Sequence, residues 1–119
     1  MADLAAFRDE VRAWLSDHLT DELRDVATKS TSVFVDKPHT LKWQAILHKK
    51  GWVAPTWPKE FGGGGRPPID RLIVGEELIA AGAPIAASWF GDRQMGPAFM
   101  TYGTPEQQKA FLPGILSGE

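Results

Sequence analysis

Three histidines, two adjacent glutamates, a run of four glycines and a few hydroxyl side chains are the groups in this sequence that could do chemistry. Cysteine is absent, which removes thiolate nucleophiles and disulfides and fits a reducing compartment. His18, His39 and His48 are scattered, and no two of them form the i, i+4 pair with which a helix ligates a metal. They read as solvated or core-edge side chains. Glu76 and Glu77 are neighbours, and neighbouring helical residues point about 100° apart, so they are no ready-made acid–base pair. One of them is expected to pair with a Lys or Arg from another helix. Ser88, Thr101 and Tyr102 have no recognisable base arrangement. Gly62 to Gly65 invites a phosphate-loop reading, but no strand precedes it and no Gly-Lys-Ser/Thr follows. Pro67 and Pro68 also remove backbone donors where a phosphate would need them. The run reads as a flexible turn between helices. The residues by themselves make no self-sufficient active site.

The stretch that must position everything else runs from Gly51 to Gly65, with Trp52, Trp57 and Phe61 among two prolines and five glycines. It can be neither regular helix nor central strand. Its aromatics can each remove roughly 150–250 Å² from solvent, so a stiff connection pinned over a helical core is expected.

Around it the pattern is helical. Asp3 is a plausible N-cap, and Leu4, Phe7, Val11, Trp14, Leu15 and Leu19 recur at helical spacing, which predicts a rod of about 24 Å. Asp21 to Val26 could form a short helix, and Lys29 to Val35 reads as loop. Asp36 or Thr40 can cap the next helix, with Pro38 in its first turn. Lys49, Lys50 and Gly51 supply its C-terminal signals. Pro67 and Pro68 open a helix whose inner side is expected to hold Ile69, Leu72, Ile73, Glu76, Ile79 and Ala80, and Gly82 ends it. Gly91 and Asp92 are expected to break the next apolar stretch, and Pro97 to start or kink a helix. Thr104-Pro105-Glu106-Gln107 reads as a capping box, and Pro113 as the restart of a short turn. The expected fold is all-α, a bundle of about five to six helices over residues 1–119, with no internal repeat.

Composition excludes several function classes. The chain has 119 residues, 43% hydrophobic, enough for one core. A net charge of −2 offers no basic stripe for a phosphate backbone, so nucleic acid is not an expected partner. No apolar run approaches the roughly 20 residues that span a bilayer. The acidic, amphipathic start is unlike a signal or transit peptide, and a cytoplasmic location is the default expectation. The ending Leu116-Ser117-Gly118-Glu119 reads as a cut at a domain edge.

Segments spread over nearly the whole chain resemble the acyl-CoA dehydrogenase family. They are Phe7 to Leu15, Lys50 to Gly63, Glu76 to Pro84, Gly96-Pro97, Tyr102 to Lys109 and Phe111 to Glu119. The resemblance implies the N-terminal all-helical domain of a three-domain flavoenzyme. In that family a β-domain follows the Gly-Glu ending, then a C-terminal helical bundle, and these hold the FAD-binding residues and the catalytic glutamate. No catalytic, cofactor-binding or metal residue is therefore assigned here, and this chain alone is expected to bind no FAD and oxidise no acyl-CoA. The complete enzyme is implied to act on an acyl-CoA thioester, pass electrons to electron-transfer flavoprotein, and assemble as a homo-oligomer, a dimer or tetramer. By position, Ile85, Trp89, Phe90, Arg93, Met95 and Gly96 are expected to line the acyl pocket. Trp89 would shorten or reshape it, and Arg93 suggests a polar or carboxylated acyl group. Two rival readings are a non-catalytic helical protein that binds partners through apolar surface, and the same domain of a flavin monooxygenase or nitroalkane oxidase.

Overall fold

The computed structural model describes residues 3–32 and 34–119; Met1, Ala2 and Val33, the last within the expected loop, lie outside the described residues. The Asp3 carboxylate accepts the Ala5 and Ala6 N–H groups and opens α1 (Leu4–His18). Thr20 caps α2 (Asp21–Lys29). Asp36 precedes α3 (Lys37–Lys50) but caps it by position only, because its carboxylate turns to His39 Nδ1 at 2.5 Å. Thr40, the other cap candidate, is buried one turn inside.

The end of α3 is built as its sequence suggests. Gly51 takes φ +82°, its N–H meets the His48 carbonyl, and the Trp52 N–H reaches the Leu47 carbonyl at 3.2 Å. The loop beyond, with a short 3₁₀ turn at Lys59–Phe61, leads to α4 (Pro68–Ala80). Then come α5 (Ala86–Phe90), a π-helical turn at Gly91–Met95, α6 (Gly96–Tyr102) and α7 (Pro105–Ser117). Thr104 and Gln107 complete the capping box of α7. Counted with α5, the π turn and α6 as one rod, there are six helices, and no strand occurs among the described residues.

These rods form a slab 40 × 39 × 21 Å, two helix diameters thick. Between its layers lie Val11, Leu15, Trp43, Leu47, Ile73, Leu78 and Leu112. Trp14 touches both Trp43 and Trp52, at 5.6 and 5.2 Å between ring centroids, and so ties α1 to α3 and the loop.

Four local expectations need correction. First, α4 buries Asp70, Ile73, Val74, Glu77 and Leu78, while Ile69, Leu72, Glu76, Ile79 and Ala80 face outward. Of the expected inner face only Ile73 is inside. Second, Gly91 and Asp92 do not break the helix; the chain passes through them in helical dihedrals with π spacing. Third, α7 runs through Pro113, whose missing donor strands only the carbonyl of exposed Lys109. Fourth, the glycine turn is pinned. The N–H groups of Gly62, Gly63, Gly64 and Gly65 all bond loop carbonyls, of Lys59, Pro58, Ala54 and Trp57.

The π turn explains how Pro97 sits inside a continuous rod. The Gly96 N–H bonds the Gly91 carbonyl, five residues back. Continued once more, that register would send residue 97 to the Asp92 carbonyl, but proline has no N–H. The Trp57 indole fills the gap, donating Nε1–H to the Asp92 carbonyl at 3.1 Å. Its ring lies against Gly96, where a Cβ would fall 1.8 Å from Trp57 Cζ2. Trp57→Ala is therefore expected to destabilise the domain by about 3–5 kcal/mol in urea or thermal denaturation. Trp57→Phe keeps a ring but strands the carbonyl, for about 1–3 kcal/mol. An unchanged melting temperature in both variants would contradict this clamp.

Candidate functional site

The site begins with the rotation of α4, which α1 sets. Arg8 donates from Nη1 to Glu77 Oε1 at 2.6 Å and from Nη2 to Glu76 Oε2 at 2.7 Å. Arg12 adds Nε to Glu77 Oε2 at 2.9 Å. The expected glutamate partner is thus a pair of arginines, and both carboxylates are occupied structurally. With Glu77 drawn inward, Leu72 and Ile79 stand on the outer side.

Across from them lie Trp89 and Arg93, one helical turn apart on the composite rod. Together with Pro68, Arg71, Gly75 and Glu76 these side chains line a cleft of about 340 Å³. A narrower space of about 30 Å³ shares Arg71, Gly75, Trp89 and Arg93 with it and reaches inward to Ile85, Ser88 and Asp92. Arg93 crosses α4 close over Gly75, its Nη2 3.3 Å from where a Cβ would stand. Arg71 donates Nε–H to Asp92 Oδ2 at 3.1 Å. The Arg93 guanidinium lies over the Trp89 ring, 4.0 Å from its centroid.

Electrostatics follow from this burial. Desolvation pushes the Asp92 carboxyl above its ordinary value, while Arg71 and Arg93 pull it back. Desolvation, and then repulsion from Arg71, lowers Arg93, with Asp92 opposing. The cleft thus combines apolar walls with the Arg71 and Arg93 guanidinium groups and the Glu76 carboxylate.

The six expected pocket residues do not share one surface. Ile85, Trp89 and Arg93, spaced i, i+4 and i+8, line the same space. Phe90 points elsewhere and meets Phe34 at 5.9 Å. Met95 is exposed away from the cleft, and Gly96 is covered by Trp57. Leu72, Gly75, Ile79 and Arg71 were not expected in the site. A glycine in mid-helix and too many apolar residues for one face were the available signals.

Several other chemical candidates are tied up, whereas exposed His48 lines a second groove. Ser88 Oγ donates to the Ile85 carbonyl. His18 stacks on Trp14 and bonds its carbonyl, and His39 faces Asp36 and Glu22. Among the described residues no group of three or more His, Cys, Asp or Glu could hold a metal ion. None of the described helices is long and apolar enough to cross a membrane. The second groove, about 460 Å³, runs between Phe61 and α7, past His48, Glu60 and Lys109.

The structure therefore defines a helical module that presents an apolar, arginine-bearing cleft whose described carboxylates, Glu76 and Asp92, are held in ion pairs. The family model for the acyl-CoA dehydrogenase N-terminal domain matches residues 1–119, and the chain belongs to the acyl-CoA dehydrogenase family. It is 36% identical to acyl-CoA dehydrogenase IpdE1 of Mycolicibacterium smegmatis, over 98% of this chain and 30% of that relative. It is 34% identical to acyl-CoA dehydrogenase FadE26 of Mycobacterium tuberculosis, over 94% of this chain and 28% of that one. Among solved structures, a Tcur3481-Tcur3483 steroid ACAD superposes with a TM-score of 0.82 at 35% identity, covering 99% of this chain and 29% of that chain. The ChsE4-ChsE5 complex of Mycobacterium tuberculosis gives 0.80 at 34% identity, covering 99% and 28%. The chain thus spans under a third of the length of these relatives.

The ion-pair geometry makes a pH prediction. Hydrogen bonds from Arg12 and Arg8 hold the Glu77 carboxyl below its ordinary 4.5, against burial, which raises it. A carboxyl with a depressed folded value contributes stability above its unfolded value and loses it as pH falls through the folded one. Urea midpoints should therefore fall on acidification below pH 4.5. Glu77→Gln should lower stability at pH 7 and flatten that acid limb; an acid limb as steep as wild type would contradict the pairing.

Proposed function

We propose that this chain is the N-terminal domain of an FAD-dependent acyl-CoA dehydrogenase and forms one wall of its acyl pocket. The observation that carries this is the outward apolar set around the cleft: Leu72 is 54% exposed, Ile79 49% and Trp89 37%. Such side chains on adjacent helices suit a surface that another domain or a ligand covers. Of the six residues expected to line the pocket, Ile85, Trp89 and Arg93 are proposed as its lining. Phe90 and Met95 are proposed to meet neighbouring parts of the assembly, and Gly96 to support the wall through Trp57.

FAD belongs to this proposal through the family. The Gly62–Gly65 run offers no phosphate cradle for it, because each of its glycine N–H groups is already bonded within the loop. What this chain contributes is shape and exclusion of water. An apolar wall lowers the local dielectric and strengthens electrostatic stabilisation of an enolate-like transition state in the acyl group.

The names of the relatives support two finer parts of the proposal. A steroid ACAD among the structural matches favours a bulky, ring-bearing acyl group. The two-chain neighbours favour assembly with further family chains. Electron-transfer flavoprotein is the proposed acceptor, on family grounds, and a cytoplasmic setting follows from the same reading.

Purified with its assembly partners, the protein should show flavin absorbance and reduce an electron-accepting dye in the presence of acyl-CoA. Trp89→Ala should shift kcat/KM toward larger acyl groups by about tenfold or more, the scale set by a changed hydrophobic pocket. A flat acyl-specificity profile would make Trp89 packing and not pocket.

A further inference from the structure

We propose that the cleft between α4 and α5 binds an apolar ligand whose far end carries a carboxylate, and that Arg93 is the residue that reads that carboxylate. The chain has six arginines, and five of them are committed. Arg8 and Arg12 hold Glu76 and Glu77; Arg24 bonds the Leu19 and Leu15 carbonyls; Arg66 pairs with Asp70; Arg71 pairs with Asp92. Arg93 makes no hydrogen bond or ion pair with any described residue. It is nevertheless half-buried, in a position that costs solvation.

Its orientation is fixed without using its donors. The guanidinium is held by its face on Trp89 and crosses α4 at Gly75, which leaves its N–H groups free in the plane. The charges around the cleft do not cancel. Glu76 is taken by Arg8 and Asp92 by Arg71, so one positive charge remains. A single carboxylate matches it, and a planar guanidinium can bind that group through two parallel N–H···O bonds. Leu72, Ile79 and the Trp89 ring supply the apolar wall for the rest of the ligand. Assigning this ligand to an acyl thioester with a distal carboxylate rests on the proposed function; the anion site itself does not.

The test separates the two. With the intact assembled protein, decanoate and methyl decanoate are titrated by calorimetry, a matched pair that differs in the charge and needs neither coenzyme A nor turnover. Decanoate should bind at least about tenfold more tightly than its ester, the scale of a hydrogen bond to a charged group. Arg93→Gln should remove that preference, so that acid and ester bind alike. Arg93→Lys, which keeps the charge and loses the fork, should retain part of it, and its retention shows that the cleft still folds. Equal binding of acid and ester by the wild type, or a preference unchanged in Arg93→Gln, would overturn the proposal. Acid preference without any acyl-CoA oxidation would leave the anion site standing and remove the dehydrogenase reading; oxidation without acid preference would do the reverse.

Discussion

One hydrogen bond fixes the frame of the candidate cleft: the Trp57 indole N–H to the Asp92 carbonyl. A π turn followed by proline leaves that carbonyl without a helical donor, and an unpaired buried carbonyl is expensive. The indole resolves the conflict and also locates the loop, since its ring fits only over a residue with no Cβ, Gly96. Loop and rod therefore set each other's position. From that point the chain delivers the Asp92 carboxylate to Arg71, and Arg93 to the face of Trp89.

The second constraint is the arginine–glutamate knot between α1 and α4. Without it α4 has two apolar sides to choose from, because Ile69, Leu72 and Ile79 compete with Ile73, Val74 and Leu78. A buried carboxylate needs partners, and only α1 supplies guanidinium groups to Glu77. Turning that carboxylate inward puts Leu72 and Ile79 outside. The cleft wall is thus a consequence of where a charge is satisfied, not of hydrophobicity alone.

This accounts for which parts were legible in the sequence. Caps are local: Asp3, Gly51 and the Thr104–Gln107 box act within a few residues, and all three are built as their spacing indicates. The aromatic loop was legible because so many large rings cannot stay in water. The face of α4 was not, since its arbiters Arg8 and Arg12 lie more than sixty positions away. The π turn was hidden for the same reason: local rules read Gly91-Asp92 and Pro97 as breaks, and the group that makes continuity possible is 35 residues distant. In the site, the i, i+4, i+8 spacing of Ile85, Trp89 and Arg93 already marked one stripe. Phe90, Met95 and Gly96 fall off that stripe, and helical geometry could have set them apart.

The distribution of charge also says what kind of part this is. A proton-transfer centre needs a titratable group free to exchange with substrate and tuned towards neutral pH. Here Glu76, Glu77, Asp70 and Asp92 are each held in an ion pair, and Ser88 donates to its own helix. The phosphate-binding alternative fails as well, because the glycine run spends its donors on its own loop. Between α4 and α5 an apolar cleft and the Arg93 guanidinium stay open, and the groove beside α7 holds His48. With its carboxylates already held in ion pairs, the cleft is suited to selecting and orienting a ligand more than to moving its protons.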